Sequence, residues 1–231
     1  MNLRKSVHTI TSSTVGILYP KQCCLCQKEL SLEEHYVCLP CSYDLPFIEH
    51  KSIEVKQAEK IFWGRIPIEG VYSLFNYQKG NQVQQLLHEI KYKRKLKMGQ
   101  FYGQLLAEQI SDSTIDLIIP LPLHPKKERK RGFNQSKIIA KGIADKLNLP
   151  INTKCVKRTA HTLSQTQMTK YDRWDNVRSI FELNQATTIS NKHVLLVDDV
   201  LTTGATLESC AMSLLEGQNV KVSVATLAVR L

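Results

Sequence analysis

The stretch VLLVDDVLTTGAT, residues 194–206, decides the fold class of this chain. Four apolar residues lead into Asp198 and Asp199, and a run of small and hydroxylated residues follows them. A short apolar run of this kind is typical of a strand buried on both faces of a parallel sheet, and ligands bind such sheets at the carboxyl ends of the strands. The two carboxylates are therefore predicted at a ligand-binding edge.

The loop behind the aspartates has the composition of a phosphate-binding site. Its residues, Thr-Thr-Gly-Ala-Thr at 202–206, lead into a predicted helix. Small residues let backbone N–H groups approach an anion, hydroxyls add donors, and the helix N-terminus adds its positive dipole end. Because two carboxylates would repel a phosphate, we expect them to meet sugar hydroxyls or a divalent cation. A phosphorylated sugar would suit both the aspartate pair and the loop. The alternative is that Asp199 caps a turn and that residues 202–206 are an ordinary helix start.

Strands and helices alternate through residues 66–231. The apolar periodicity predicts, in chain order, one or two strands at 66–77, helices at 83–90 and 98–106, a strand at 115–122, a helix at 138–147, a strand at 193–199, a helix at 207–215 and a strand at 220–229. This order implies right-handed crossovers and an α/β fold with a mostly parallel sheet flanked by helices. Residues 184–191 are predicted to form a loop.

Residues 1–65 hold five of the seven cysteines and have no clear alternation of strands and helices. Cys23 and Cys26 form one C-x-x-C pair, Cys38 and Cys41 form another, and 11 residues separate the pairs. Two such pairs can close a tetrahedral thiolate site, which suits a structural zinc ion. The alternatives are disulfides, a redox pair or an iron–sulfur cluster, which the spacing and context favour less.

The chain is basic, with 31 Lys and Arg against 21 Asp and Glu and a formal charge of +10, which suggests an anionic partner. No apolar run approaches the roughly 18 residues of a membrane span, so we expect a soluble, cytoplasmic protein that is not integral to a membrane. The first 22 residues are basic with apolar positions on one helical face, which favours a short docking helix over a targeting signal. Residues 42–65 are expected to be an irregular connection.

Residues 194–206 closely resemble the 13-residue phosphoribosyl pyrophosphate (PRPP) signature of the type I phosphoribosyltransferases. Three further segments, together with the cysteine pairs, resemble the ComF family of competence-associated, phosphoribosyltransferase-like proteins. The segments are LLHEIKYKRKLKMG at 86–99, PLPLHPKKERKRGFNQSKIIA at 120–140 and LSQTQMTKYDRWDNVRSIF at 163–181. The resemblance implies a type I phosphoribosyltransferase fold over residues 66–231, preceded by a small zinc-ribbon-like module within residues 1–65.

The resemblance also implies roles for individual residues. Asp198 and Asp199 would be the catalytic pair, holding the ribose 2′- and 3′-hydroxyls with Mg²⁺ nearby, and residues 202–206 would cradle the 5′-phosphate. Residues 122–125 would form the pyrophosphate loop, and a mobile loop within 163–178 would cover the site. The predicted PRPP-binding residues are Lys91, Leu123, His124, Arg131, Arg173, Arg178, Thr202, Thr203, Gly204, Ala205 and Thr206.

Two basic runs are candidate contacts to an anionic partner. Five cations fall within residues 91–97 and five more within 126–131. They are a solvated surface, clamps for a departing pyrophosphate, or contacts to single-stranded DNA. We expect a Mg-PRPP-binding protein, associated with DNA uptake and natural competence, that transfers phosphoribosyl to an unidentified acceptor. The alternatives are a non-catalytic factor that handles single-stranded DNA with the DNA-uptake machinery, and a PRPP-sensing regulator.

Overall fold

The computed structural model describes three stretches of the chain, residues 21–49, 52–159 and 180–231. The predicted mobile loop within 163–178 lies outside these stretches, together with Arg173 and Arg178. Residues 1–20 of the predicted docking helix lie outside them as well. Within the described stretches, no helix combines the length and the apolar character that a membrane span requires.

The chain divides into two compact units, Met1–Leu45 and Pro46–Leu231. The smaller unit surrounds the two cysteine pairs. The chain turns tightly after Cys23, whose N–H donates to the carbonyl of Lys28 at 2.8 Å. Helix α1, Leu39–Tyr43, begins directly after Cys38 and carries Cys41. This helix has only 5 residues, so the described part of the smaller unit contains little regular secondary structure.

The larger unit contains the alternating strands and helices that the sequence predicts. Its elements are, in chain order, α2 (Ile53–Lys60), β1 (Val71–Asn76), α3 (Gln82–Tyr92), α4 (Leu96–Glu108), β2 (Leu117–Pro120), α5 (Pro125–Arg131), α6 (Gln135–Leu147), β3 (Val156–Arg158), β4 (Phe181–Leu183), a 3-10 turn (Ala186–Thr188), β5 (His193–Leu201), α7 (Ala205–Leu215) and β6 (Lys221–Val229). The predicted helices correspond to α3, α4, α6 and α7, and the predicted strands to β1, β2, β5 and β6.

Four strands form one sheet in the order β1-β6-β5-β2, and every pairing in it is parallel. The prediction of a parallel sheet is therefore confirmed. Pro120 lies in register with Val197, so β2 and β5 reach the same edge of the sheet, with Asp198 one residue further along. Almost every residue of β5 and β6 is buried, as expected for strands covered on both faces.

Short elements escaped the sequence analysis. β3 and β4 pair antiparallel in a separate sheet, with Val156 opposite Leu183. Each has only 3 residues, too few to display an alternating pattern. The 3-10 turn falls inside residues 184–191, which were predicted to be a loop.

Residues 46–65 belong to the larger unit, so the division falls after Leu45 and not after residue 65. Helix α2 begins after Ser52, whose hydroxyl accepts a hydrogen bond from Val55 N. Val55 and Ala58 join the main hydrophobic core together with Phe62. The expectation of an irregular connection is therefore wrong for residues 53–60. The helix is inconspicuous in the sequence because only two of its eight residues are buried.

Helices α4 and α6 pack closely against each other, and α6 also contacts β2 and β5. At Gly142 in α6 a Cβ atom would overlap the backbone carbonyl of Gln100 in α4, so only glycine permits this approach. The packing fixes the first turn of α6 beside the carboxyl ends of the two strands. That position determines the geometry of the site.

Candidate functional site

The carboxyl ends of β2 and β5 bring two predicted segments together. Leu121 N, just beyond β2, donates to the carbonyl of Val197 at 2.8 Å. The predicted pyrophosphate loop, residues 122–125, therefore begins beside the strand that carries the aspartates. At the end of this loop His124 Nδ1 accepts a hydrogen bond from Lys126 N at 3.2 Å and caps α5. The His124 ring thus has a structural task in addition to its predicted one.

The first turn of α6 supplies a hydrogen-bond donor to each aspartate. Ser136 Oγ donates to Asp198 Oδ1 at 2.7 Å, and Gln135 Nε2 donates to Asp199 Oδ1 at 3.3 Å. Asn134 caps the same helix, and its Nδ2 donates to the carbonyl of Leu121 at 2.9 Å. Three successive polar residues at 134–136 therefore connect the acid pair to the loop after β2. All three lie within the segment 120–140 that resembles the ComF family, and no role for Ser136 was predicted from the sequence.

Lys91, near the end of α3, forms an ion pair with Asp199 Oδ2. This oxygen is buried and receives no hydrogen bond from any described residue, so the ion pair is its main polar contact. The sequence predicted that Lys91 would contact PRPP. The structure brings Lys91 to the acid pair itself, where a cation offsets part of the repulsion between two neighbouring carboxylates.

The pKa of Asp198 is raised to about 7, chiefly because the carboxyl group is buried and secondly because the charge of Asp199 lies beside it. The hydrogen bond from Ser136 and the charge of Lys91 oppose this shift. A carboxyl group with a pKa near neutrality is a common feature of functional sites, because folding alone gains nothing from crowding two acids together.

The predicted phosphate loop, residues 202–206, turns into α7 at Gly204. Gly204 has a φ of +77° and is the N-cap residue of α7. It has no side chain that could accept a hydrogen bond, so it does not cap the first N–H groups of the helix. A Cβ atom at Gly204 would lie 2.7 Å from Ile61 Cγ2. Thr202, Thr203, Ala205 and Thr206 are exposed. The loop therefore offers accessible donors around a backbone that only glycine can form.

Arg65 supports this loop from the segment after α2. Its NH1 group donates to the carbonyl of Thr203 at 3.3 Å and pairs with Glu208 Oε2 in α7 at 3.0 Å. Ile61 and Phe62 pack against Gly204 in the same region. No local motif links residues 42–65 to residues 202–206, so the sequence alone does not reveal this contact of Arg65.

A buried acid organises the basic run 91–97. Glu89 in α3 is 3% exposed and pairs with Lys93 Nζ at 2.8 Å and with Lys95 Nζ at 2.7 Å. Burial alone would raise the pKa of Glu89, but the two lysines hold it below its ordinary value. With Lys91 on Asp199, three of the five cations in this run are paired with internal carboxylates.

The cations of α5 are arranged differently. Lys126, Lys127, Arg129 and Lys130 are exposed, and none of the four side chains has an ion-pair or hydrogen-bond partner in the part of the chain that the structure describes. Arg131, the last residue of α5, turns inward, and its NH1 group donates to Gln135 Oε1 at 2.8 Å. The basic run 126–131 therefore presents four unneutralised charges to solvent.

The four predicted metal ligands of the smaller unit converge on one point. The Sγ atoms of Cys23, Cys26, Cys38 and Cys41 all lie within 4.8 Å of one another. A tetrahedral zinc site with Zn–S bonds of about 2.3 Å requires sulfur–sulfur separations of about 3.8 Å. The cluster can hold such an ion with little adjustment. Four thiolates would fill the coordination sphere, which is the arrangement of structural rather than catalytic zinc.

Residues 130–231 match the family model of the phosphoribosyl transferase domain. The match includes the start of α6, the acid pair and the loop 202–206. Together with the parallel sheet and the helices on it, the match gives the larger unit a type I phosphoribosyltransferase fold.

The chain is 27% identical to "Competence protein F" of Haemophilus influenzae over 194 residues, which cover 80% of both chains. It is 27% identical to "DNA utilization protein YhgH" of Escherichia coli over 146 residues, 60% of this chain and 63% of that one. "Competence protein ComFC" of Bacillus subtilis is 30% identical over 118 residues, 48% of this chain and 43% of that one. These similarities, together with the matched phosphoribosyl transferase domain, support a ComF family protein.

Solved structures align only weakly. The glutamine PRPP amidotransferase of B. subtilis aligns with a TM-score of 0.40 and 19% identity, over 55% of this chain and 25% of that chain. Adenine phosphoribosyltransferase from Saccharomyces cerevisiae aligns with a TM-score of 0.38 and 15% identity, over 61% of this chain and 71% of that chain. Alignments at this level carry no information about substrate.

Proposed function

We propose that this protein binds Mg-PRPP at the carboxyl edge of its sheet and transfers the phosphoribosyl group to an acceptor. The observation that carries the proposal is the position of Asp198 and Asp199 near the carboxyl end of β5, with the loop 202–206 following that strand and leading into α7. Carboxylates suit the ribose hydroxyls, and the loop N–H groups and threonine hydroxyls suit the 5′-phosphate. Lys91 and residues 122–125 are the proposed contacts to pyrophosphate, with Arg173 and Arg178 as further predicted contacts.

Transfer breaks the bond between the ribose C1 and pyrophosphate and forms a bond from C1 to a nucleophilic nitrogen of the acceptor. The protein contributes position and charge rather than a covalent intermediate. Asp198 and Asp199 orient the sugar through its hydroxyls, and the loop 202–206 anchors the phosphate end. The aspartate oxygens are the donors that Mg²⁺ prefers, and bound Mg²⁺ supplies positive charge for the departing pyrophosphate.

Thermal unfolding with and without ligand tests the binding step. Saturating Mg-PRPP should raise the unfolding midpoint of the wild type by about 5 °C or more, because a ligand at 100 times its Kd stabilises a protein by about 2.7 kcal/mol. The double variant Asp198→Asn/Asp199→Asn should lose the shift, whereas Asp145→Asn, a substitution in an exposed ion pair with Lys141, should keep it. A wild type that gains no stability from millimolar Mg-PRPP would contradict the proposal.

Pyrophosphate release distinguishes an enzyme from the PRPP-sensing regulator. An enzyme should release pyrophosphate from PRPP when the correct acceptor is added, and release should stop in the Asp198→Asn/Asp199→Asn variant. Binding without release across a panel of nitrogenous bases and amines would favour the sensor instead. Either function is compatible with the cytoplasmic location that we propose, which cell fractionation would test.

We propose a structural zinc ion in the four-cysteine cluster, which is supported by the convergence of the four Sγ atoms. Folding energy from the metal would compensate for the small core of so short a segment. The purified protein should contain one zinc ion per chain, and a Cys38→Ser variant should contain less than half of that. Full zinc content in the variant would place the metal elsewhere.

A second function is favoured by the four exposed cations of α5. Lysine and arginine side chains without internal partners are available to the phosphates of single-stranded nucleic acid. The three relatives reported above carry names that refer to competence or to DNA utilization. Under this alternative, the protein handles single-stranded DNA together with the DNA-uptake machinery, and α5 supplies the contacts. A linear loss of DNA affinity with the logarithm of salt concentration would support it.

A further inference from the structure

Gln135 lies between a cation and a carboxylate, and this position fixes the direction of its amide. Its Oε1 accepts a hydrogen bond from Arg131 NH1 at 2.8 Å, and its Nε2 donates to Asp199 Oδ1 at 3.3 Å. A guanidinium group can only donate, and an ionised carboxylate can only accept, so the reverse orientation of the amide would oppose both partners. Gln135 is 5% exposed, so water offers no ready replacement for either contact.

Arg131 is itself held in place by Tyr92. The guanidinium carbon lies 5.1 Å from the centroid of the Tyr92 ring, and NH2 lies 3.4 Å from the Tyr92 hydroxyl. A cation over an aromatic face is attracted to the ring, which restrains the guanidinium plane. Tyr92 follows Lys91 in α3, so two neighbouring residues reach Asp199, one directly and one through Arg131 and Gln135.

We propose that Gln135 is a positioning residue for Asp199, and that Arg131 acts on the site through Gln135 rather than by touching PRPP. The inference rests on the proposed function, since the orientation of Asp199 matters to a ligand whose hydroxyls it receives. Gln135 holds Oδ1, so the carboxylate plane is set before the ligand arrives. The sequence predicted that Arg131 contacts PRPP directly. Its contacts with Tyr92 and Gln135 instead suit a role in holding Gln135 in place.

A double-mutant cycle that measures the affinity for Mg-PRPP tests whether Arg131 acts through Gln135. Gln135→Met keeps the length of the side chain and removes both hydrogen bonds, and we expect it to weaken binding about tenfold. Arg131→Met should weaken binding about fivefold in the wild-type background and not at all in the Gln135→Met background, because a residue that acts through Gln135 has no effect once Gln135 is replaced. Independent, multiplying losses would overturn the proposal and return Arg131 to a direct contact.

Two further variants keep the test decisive if Gln135→Met folds poorly. Arg131→Lys keeps the charge at a partly exposed position but loses the planar fork, so it should weaken binding as much as Arg131→Met does. Wild-type affinity in Arg131→Lys would contradict the proposal that Arg131 acts on the site through Gln135. Gln104→Met, a change at an exposed glutamine in α4, should bind like the wild type and controls for the substitution itself. If the wild type does not bind Mg-PRPP at all, the proposed function fails, whereas binding that is unaffected by Gln135→Met removes only this inference.

Discussion

The two basic runs, residues 91–97 and 126–131, carry the same number of cations but use them differently. In the first run, Lys91, Lys93 and Lys95 neutralise the buried carboxylates of Asp199 and Glu89. In the second, four side chains of α5 extend into solvent, and only Arg131 turns inward. The first run therefore stabilises the site and the helix that carries it, whereas the second is available to a partner.

The difference comes from acids that lie far apart in the sequence. Asp199 reaches Lys91 only because the sheet and α3 bring them together, and Glu89 is buried at a helical position that a charge usually leaves exposed. Charge runs cannot be interpreted from composition alone, because the partners that neutralise them need not be local. Counting cations without internal partners is the more useful measure of a polyanion-binding surface.

The largest expected effect follows from removing the charges of α5. A variant with Lys126→Gln, Lys127→Gln, Arg129→Gln and Lys130→Gln should bind single-stranded DNA about 100-fold more weakly, and the slope of log affinity against log salt should fall by about 3. Its unfolding midpoint should not change, since the four side chains are exposed. Fluorescence anisotropy with a labelled oligonucleotide measures both quantities.

The paired variant Lys93→Gln/Lys95→Gln is the control for this comparison. It removes cations of the first run, so it should leave the salt slope nearly unchanged. If this pair lowered DNA affinity more than the α5 variant did, the division between an internal and an external basic run would be wrong.

A smaller effect is expected from Glu89→Gln. Removing the buried charge leaves Lys93 and Lys95 without their partner and replaces charge-assisted hydrogen bonds by weaker ones, which should lower the free energy of unfolding by about 2 kcal/mol. Glu128→Gln, the matched change at the exposed acid of α5, should alter it by less than about 0.5 kcal/mol. Urea unfolding of both variants provides the comparison, and equal effects would contradict the structural role of Glu89.

The smallest expected effect is a gain of stability in the ligand-free Asp198→Asn variant. Because the pKa of Asp198 is raised to about 7 in the folded protein, the unfolded chain binds fewer protons than the folded chain between about pH 4 and 7. Wild-type stability should fall with rising pH across this window, and Asp198→Asn should abolish that component. The variant should be more stable than the wild type at pH 8, and by less at pH 5, because the Asp198 carboxyl group of the folded protein is ionised only above about pH 7.

Unfolding in urea at the two pH values measures this difference. Asp145→Asn, at an exposed ion pair, should show no such pH dependence. If Asp198→Asn were less stable than the wild type at pH 8, the two carboxylates would not repel each other in the folded protein.

The sequence predicted the parallel sheet well because the relevant signals are local. The apolar runs of β2 and β5 are continuous, and the stretch 194–206 places acids and a small-residue loop near one strand end. The four-cysteine cluster could also be predicted from the sequence, because the spacing of two C-x-x-C pairs allows their sulfur atoms to converge.

The features that the sequence left out depend on contacts between distant segments. β3 and β4 have 3 residues each, and α2 buries only Val55 and Ala58. None of these three elements therefore produces a clear apolar periodicity in the sequence. The support that Arg65 gives to the loop 202–206, and the donors that Ser136 and Gln135 give to the acid pair, appear only when the strand ends are assembled. No pattern within a short window encodes these pairings.

Isothermal titration of Mg-PRPP into the ligand-free protein tests the central claim most directly. The account predicts one binding site per chain in the wild type and in Asp145→Asn, and no detectable binding in Asp198→Asn/Asp199→Asn. Binding of undiminished affinity to the double variant, or no binding to the folded wild type, would contradict the assignment of this edge of the sheet to PRPP.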